Sequence, residues 1–517
     1  MEENIINDNK LNKKKSVKKN YFYNLIYQLF LIIVPLVLTP YVSRVLTTEG
    51  VGQYSFSYSL ILYFTIFGQL GFTIYAQREI AKHQGDKYNQ SKSFWEINIC
   101  RMLPVSVAFI TNLILCLLNV YGDYNKLMFI FLINIGALYF DIAYFFQGNE
   151  EFGKICIRNI IIKSLSIACV FIFVKDINDL WLYALILSLS VILSNISLWT
   201  YMPKRLCKVN IKELKPLSHL KGTFILFLPT IATSIYTVLD KTLIGLIITD
   251  TYTVEEDEIV KKVSDLENGY YEQAEKLIKM VMTVITCIGT VMIPRNTKEL
   301  SLGNYDKVKE NITLSSKIVM LIALPMILGI VVVSPFVVPW FFGSGYDKCV
   351  ILMQILSPLI IIIGFSNVFG LQYLIPAGKD FKYTIAVTIG AIVNLILNSI
   401  FIYFWWSIGA AIATIIAECF VTIIMAIMVR KELNIFKVIL SSWKAIISSV
   451  IMFVAIFFIA KKLDHNVLNT FIIIGIGALI YLTLIIILKD KIVLSTIKKI
   501  FNKFKKKKEN KDENIQQ

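Results

Sequence analysis

Leu239-Asp240-Lys241-Thr242 and, further on, Asn268-Gly269-Tyr270-Tyr271-Glu272-Gln273-Ala274-Glu275-Lys276 are the stretches on which the reading of this chain turns. The first interrupts an apolar run that starts at Phe224 and resumes from Leu243 through Ile248, and the second opens an apolar run that ends near Ile293. Both runs are long enough to cross a bilayer as helices. In the second, Glu275, Lys276 and Lys279 lie three, four and seven positions after Glu272, the spacing that puts side chains on one helical face. An Asp or Lys at the centre of a span costs about 2.5 to 3.5 kcal/mol on insertion scales, so such residues persist where they pair or line a wet cavity. They are expected to wall a polar pathway through a membrane bundle, with Lys276 or Lys279 as the partner of Asp240.

The same hydropathy recurs along all 517 residues, of which 56% are hydrophobic and only 17% charged. With a mean hydropathy of +0.66, this excludes a soluble enzyme. Windows of about 19 residues give fourteen spans, with twelve as the alternative. They are 21–46, 51–75, 95–119, 126–147, 155–174, 179–201, 223–248, 269–293, 312–335, 349–373, 382–404, 407–429, 442–460 and 468–488. The fold class is therefore all-α and polytopic. The net charge of +16 sits in the two tails and in alternate loops, which is the pattern of membrane orientation and not of a nucleic-acid partner. It puts both termini in the cytoplasm, with the loop 202–222 inside and the acidic loop 249–268 (Glu255, Glu256, Asp257, Glu258) outside. The run Lys505 to Lys508 reads as a contact to lipid headgroups.

An internal echo divides the chain. Ser43-Arg44-Val45-Leu46 followed by Gly52-Gln53-Tyr54 resembles Asp240-Lys241-Thr242-Leu243 followed by Gly269-Tyr270-Tyr271. The offset of six spans implies two parallel six-helix bundles, 21–210 and 211–435, with an added helix pair at 436–490 between basic tails at 1–20 and 491–517.

A diphosphate-bearing anion suits a cavity of net positive charge. The candidate substrate-binding residues are accordingly Arg44, Asp240, Lys241, Glu272, Glu275, Lys276 and Lys279, with the carboxylates positioning and neutralising the cations. Arg101, Asp141, Arg158 and Glu418 are secondary cavity charges; snorkelling to the headgroups is the alternative for Arg101 and Arg158. No catalytic residue, metal or cofactor is expected. The eight cysteines are scattered, mostly within apolar runs, His83, His219 and His465 are far apart, and no phosphate loop or triad is present.

Several segments carry a family resemblance: Asn20-Tyr21-Phe22-Tyr23-Asn24-Leu25-Ile26-Tyr27-Gln28, Thr39-Pro40-Tyr41-Val42-Ser43-Arg44-Val45-Leu46 and Phe145-Phe146-Gln147-Gly148-Asn149-Glu150-Glu151-Phe152. Tyr236-Thr237-Val238-Leu239-Asp240-Lys241, Gly269 to Lys276, and Val393-Asn394-Leu395 with Ala417-Glu418 extend it over about residues 20 to 435. Together they resemble Wzx-type oligosaccharide flippases of the multidrug/oligosaccharidyl-lipid/polysaccharide exporter superfamily. The resemblance implies two six-helix bundles that alternate their access. It implies a bacterial inner-membrane protein that moves an undecaprenyl-diphosphate-linked repeat unit outward for capsule, O-antigen or exopolysaccharide synthesis. Expected partners are that lipid-linked oligosaccharide, membrane lipids, and the polymerase and chain-length machinery. The departure from the pattern is Thr47-Thr48, where a tight outer turn calls for glycine. Two other classes compete: an ion-coupled small-molecule exporter of the same fold, and a membrane polysaccharide polymerase, which would need a larger outer loop.

Overall fold

A computed structural model of the chain describes residues 2–254, 259–431 and 433–495. The acidic group Glu255, Glu256, Asp257 and Glu258, and the basic run Lys505 to Lys508, lie outside the described residues. In chain order the helices are α1 (Glu2–Gln69), α2 (Phe72–Lys82), α3 (Lys87–Leu117), α4 (Asn125–Ala137), α5 (Ala143–Gly148), α6 (Phe152–Phe173), α7 (Leu180–Trp199) and α8 (Leu220–Ile247). A two-stranded antiparallel ribbon follows, β1 (Thr251–Val254) against β2 (Ile259–Lys262), with Thr251 opposite Lys262. Then come α9 (Val263–Ser301), α10 (Tyr305–Phe342), α11 (Lys348–Leu356), α12 (Leu359–Ser366), α13 (Asp380–Met428), α14 (Ile435–Ser441), α15 (Trp443–Ala460) and α16 (Val467–Ile487).

Eleven helices among the described residues are long and apolar enough to cross a membrane. Two of them are broken by non-helical residues, at Thr47 in α1 and at Trp406 in α13. Divided there, and with α8 added, they coincide with the fourteen expected spans. The outward face of α3 shows why water is the wrong solvent. Leu103, Val107, Ile110, Ile114 and Leu117, spaced at helical intervals, are each about half or more exposed.

Three expectations shift. The span predicted to begin at 269 starts as a helix at Val263, which brings Asp265 and Glu267 into it. The loop 249–268 contains the β-ribbon. The fourth span is interrupted at Asp141, which has extended backbone between a 3-10 turn and α5, and whose carboxylate accepts from Ala143 N, two residues on, at 3.0 Å.

The chain forms two compact units: Met1–Gln273 with Phe342–Gly345 and Ala391–Ala413, and Ala274–Phe341 with Tyr346–Gly390 and Thr414–Gln517. In the first, Leu46, Ile61, Val105, Phe131, Ile135 and Val170 are among the residues of one core. Tyr41 ties α1 to α6 by donating to the Val174 carbonyl at 2.6 Å. A second core packs α2, α3 and α5, where the space beside Gly148 is so tight that a Cβ would stand 2.8 Å from the Gln77 carbonyl. In the second unit, α15 and α16 pack on α10 through Phe336, Met452, Ile456 and Ile473, and Tyr481 donates to the Leu321 carbonyl at 2.6 Å.

Candidate functional site

In the first unit, the polar residues of the spans gather where α8, α9, α1 and α13 meet. Each helix contributes from one face. On α1, Ser55, Ser59 and Tyr63 recur every fourth residue, a hydroxyl stripe along one side of the helix. On α8, consecutive residues Asp240, Lys241 and Thr242 meet different partners. Thr242 Oγ1 lies 2.9 Å from Ser59 Oγ and accepts from Tyr63 OH at 3.1 Å. Asp240 is buried and accepts from Asn398 Nδ2 at 2.7 Å and from Tyr271 OH. Lys241 forms an ion pair with Glu272, to which Ser55 Oγ also donates at 3.0 Å. The side chains of this pair are only 16% and 19% exposed, low enough that the pairing offsets much of the cost of holding both charges out of water.

Further carboxylates at the start of α9 are held by hydroxyls and amides. Asp265 accepts from Tyr124 OH at 2.7 Å and Gln53 Nε2 at 3.2 Å. Glu267 accepts from the Ser407 amide at 3.2 Å and from its hydroxyl, which anchors the chain at the Trp406 break. Gln273 donates to Ser43 Oγ at 3.1 Å.

Of the expected substrate-binding residues, Arg44, Asp240, Lys241 and Glu272 thus belong to the first unit. Arg44 is exposed and donates to the Pro40 carbonyl at 2.9 Å. Glu275, Lys276 and Lys279 belong to the second unit, where Glu275 is buried and pairs with Lys279 at 2.6 Å, one turn on. Lys276 is half-buried. Tyr271 and Asn398 are among the partners of Asp240.

The secondary charges are less alike. Arg101 is buried, not snorkelled, and donates to Asn98 Oδ1 at 2.9 Å and to the carbonyls of Tyr139 and Asp141. It thereby satisfies backbone acceptors freed by the break before α5. Arg158 donates to the Ser194 carbonyl, and Glu418 is half-buried in α13 of the second unit. Sequence reasoning missed Ser55, Ser59 and Tyr63, though their four-residue spacing was a usable signal. It missed Tyr271 and Asn398 as ligands of Asp240, which local pattern does not reveal.

The family described as "Polysaccharide biosynthesis protein" matches residues 17–299, more than half of the chain and all of α8 and the site-bearing part of α9. The chain belongs to this family. A relative from Escherichia coli strain K12 named "Putative O-antigen transporter" is 25% identical over 437 residues, covering 83% of this chain and 99% of that one. Among solved structures, the lipid II flippase MurJ in an inward closed conformation superposes with a TM-score of 0.72 at 16% identity, over 92% of this chain and all of that chain. An inward-facing multidrug resistance MATE transporter gives 0.58 at 14% identity, over 78% of this chain and 99% of that one. These likenesses establish the fold: this polysaccharide biosynthesis family member is a multi-pass membrane protein with the architecture of a transporter.

Proposed function

We propose that the protein is a flippase that carries an undecaprenyl-diphosphate-linked oligosaccharide repeat unit from the cytoplasmic to the outer leaflet by alternating access of its two six-helix bundles, 21–210 and 211–435. The relative named for O-antigen transport and the structural likeness to a lipid II flippase support this substrate class. The observation that carries it is the Lys241–Glu272 pair, a cation kept inside a membrane bundle by a carboxylate that an incoming anion can replace. In this reading Arg44, Lys241, Lys276 and Lys279 hold the diphosphate, and Asp240, Glu272 and Glu275 position those cations when the site is empty. Forked and point-charge donors together suit a diphosphate.

The protein then lies in a bacterial plasma membrane with both termini cytoplasmic, and hands its cargo to a polymerase with its chain-length machinery. The test is reconstitution in vesicles with a lipid-linked oligosaccharide whose sugar is accessible to a reagent on one side only. Movement that depends on the protein supports the proposal. Transport of a soluble cation without lipid movement would instead establish an ion-coupled exporter of the same fold.

A further inference from the structure

The segment between α7 and α8 closes over the first half of α3 and leaves a groove of about 800 Å³. Trp95, Ile99, Trp199, Met202, Ile211 and Leu214 line it, and so does the charged Lys208. That volume falls within the range of about 300 to 1,000 Å³ typical of sites for one small ligand.

The groove is preformed. Cys207 N donates to Ser91 Oγ at 3.0 Å, Lys215 N donates to Glu96 Oε1 at 2.7 Å, and Arg205 pairs with Glu151 at 2.6 Å. Asn210 caps the short turn Ile211–Glu213 by accepting from Lys212 N at 3.2 Å. This fixed turn holds Ile211 82% exposed, beside the exposed Lys212. A branched aliphatic side chain presented in this way is misplaced in water and well placed at the boundary between headgroups and acyl chains. Trp95 and Trp199, with ring centroids 6.4 Å apart, sit where α7 ends, the level at which amphipathic rings anchor spans.

Charge specifies the occupant further. From 200 to 215 the chain carries Lys204, Arg205, Lys208, Lys212 and Lys215 against the single acid Glu213, which accepts from Tyr88 OH. Lys204, Lys208 and Lys212 are exposed. An apolar groove under a basic rim is complementary to acyl chains joined to a phosphate. We propose that it binds an anionic diacyl phospholipid, with a chain against Trp95 and Trp199 and the phosphate at Lys208 and Lys212. This does not depend on what the protein transports.

The experiment uses the full chain in phosphatidylcholine vesicles doped with either brominated phosphatidylglycerol or brominated phosphatidylcholine. The fluorescence difference between the unaltered protein and its Trp95→Phe/Trp199→Phe variant isolates the groove. Brominated phosphatidylglycerol should quench that signal several-fold more effectively, and Lys208→Gln/Lys212→Gln should abolish the preference without lowering the thermal midpoint in phosphatidylcholine. Equal quenching by the two lipids, or a preference that survives the double substitution, reduces the groove to ordinary annular contact and overturns the proposal. Displacement of phosphatidylglycerol by an equal fraction of undecaprenyl phosphate overturns it too, by assigning the groove to the carrier lipid. A further measurement needs no variant: raised salt should shrink the preference, and a salt-independent preference contradicts a phosphate held by lysines.

Discussion

Gly52 and Gly269 meet backbone to backbone. A Cβ on Gly52 would stand 1.7 Å from the Asp265 carbonyl oxygen, and a Cβ on Gly269 would stand 2.0 Å from the Thr48 carbonyl oxygen. Each glycine therefore lies over the carbonyl four residues before the other, a reciprocal contact of the kind a local two-fold axis produces. Ser55 and Glu272, three residues beyond each glycine, hydrogen-bond across the same crossing. The repeated Gly-x-Tyr of the sequence is thus explained by close approach of two helices, because no other residue fits between them.

Gly52→Ala and Gly269→Ala should each lower the thermal midpoint of the purified protein, with a loss of about 1 to 3 kcal/mol for an overpacked site. Gly329, which has open space where a Cβ would go, is the control, and Gly329→Ala should leave the midpoint nearly unchanged. If Gly52→Ala behaves like the control, the crossing is looser than described.

Thr47 has φ 58° and ψ 179°, a conformation that disfavours a β-branched residue and costs about 1 to 3 kcal/mol. Thr47→Gly should raise the stability by about 1 kcal/mol, read as a higher midpoint, after the entropy of the added glycine is counted. A fall on this substitution would show that the threonine side chain contributes more than its backbone costs.

Arg101→Gln should cost about 3 kcal/mol, because it removes the charge-assisted donors to the Tyr139 and Asp141 carbonyls in a buried place. Arg101→Lys should recover only part of this, since one ammonium cannot reproduce a planar fork. Full rescue by lysine in a thermal unfolding series would argue against that geometry.

Lys279 is half-exposed beside Glu275, so the stability of this pair is worth less than about 1 kcal/mol. Lys279→Gln should therefore leave protein level and midpoint unchanged while reducing transport of a diphosphate-linked cargo about ten- to a hundredfold, the value of one charge-assisted contact. Lys241→Gln should reduce transport similarly. The exchange Lys241→Glu with Glu272→Lys should restore the midpoint but not transport. Normal transport by both glutamine variants would make these pairs purely structural.

Hydropathy placed every span because lipid leaves a backbone few alternatives to the helix. It also placed two of the breaks, between 46 and 51 and between 404 and 407, where Thr47 and Trp406 carry positive φ without being glycine. What it did not place was the interruption at Asp141, which looked like a charge within a helix and instead lies in extended backbone just before one, its carboxylate accepting from the Ala143 amide. In the candidate site, the one-turn spacing of Glu275 and Lys279, which pair along a single helix, was legible in the sequence. The partners of Asp240 were not, since Asn398 lies 158 residues away and only tertiary structure brings it near.

The linker before α8 is stitched to α2 and α3 by side chains as well as by peptide bonds. His219 is buried, with Nε2 3.0 Å from Glu96 Oε2 and Nδ1 2.8 Å from Tyr75 OH, and Gly222 lies flush against the Tyr75 ring. Covalent continuity at Asn210 should then be dispensable. Two polypeptides, one ending at Val209 and the other beginning at Asn210, should find each other in the membrane and co-purify, with Glu96 and Tyr75 of one receiving His219 of the other. Replacing His219 by alanine should slow that reassociation, while the α1–α8 and α1–α9 contacts keep the fragments together once they have met.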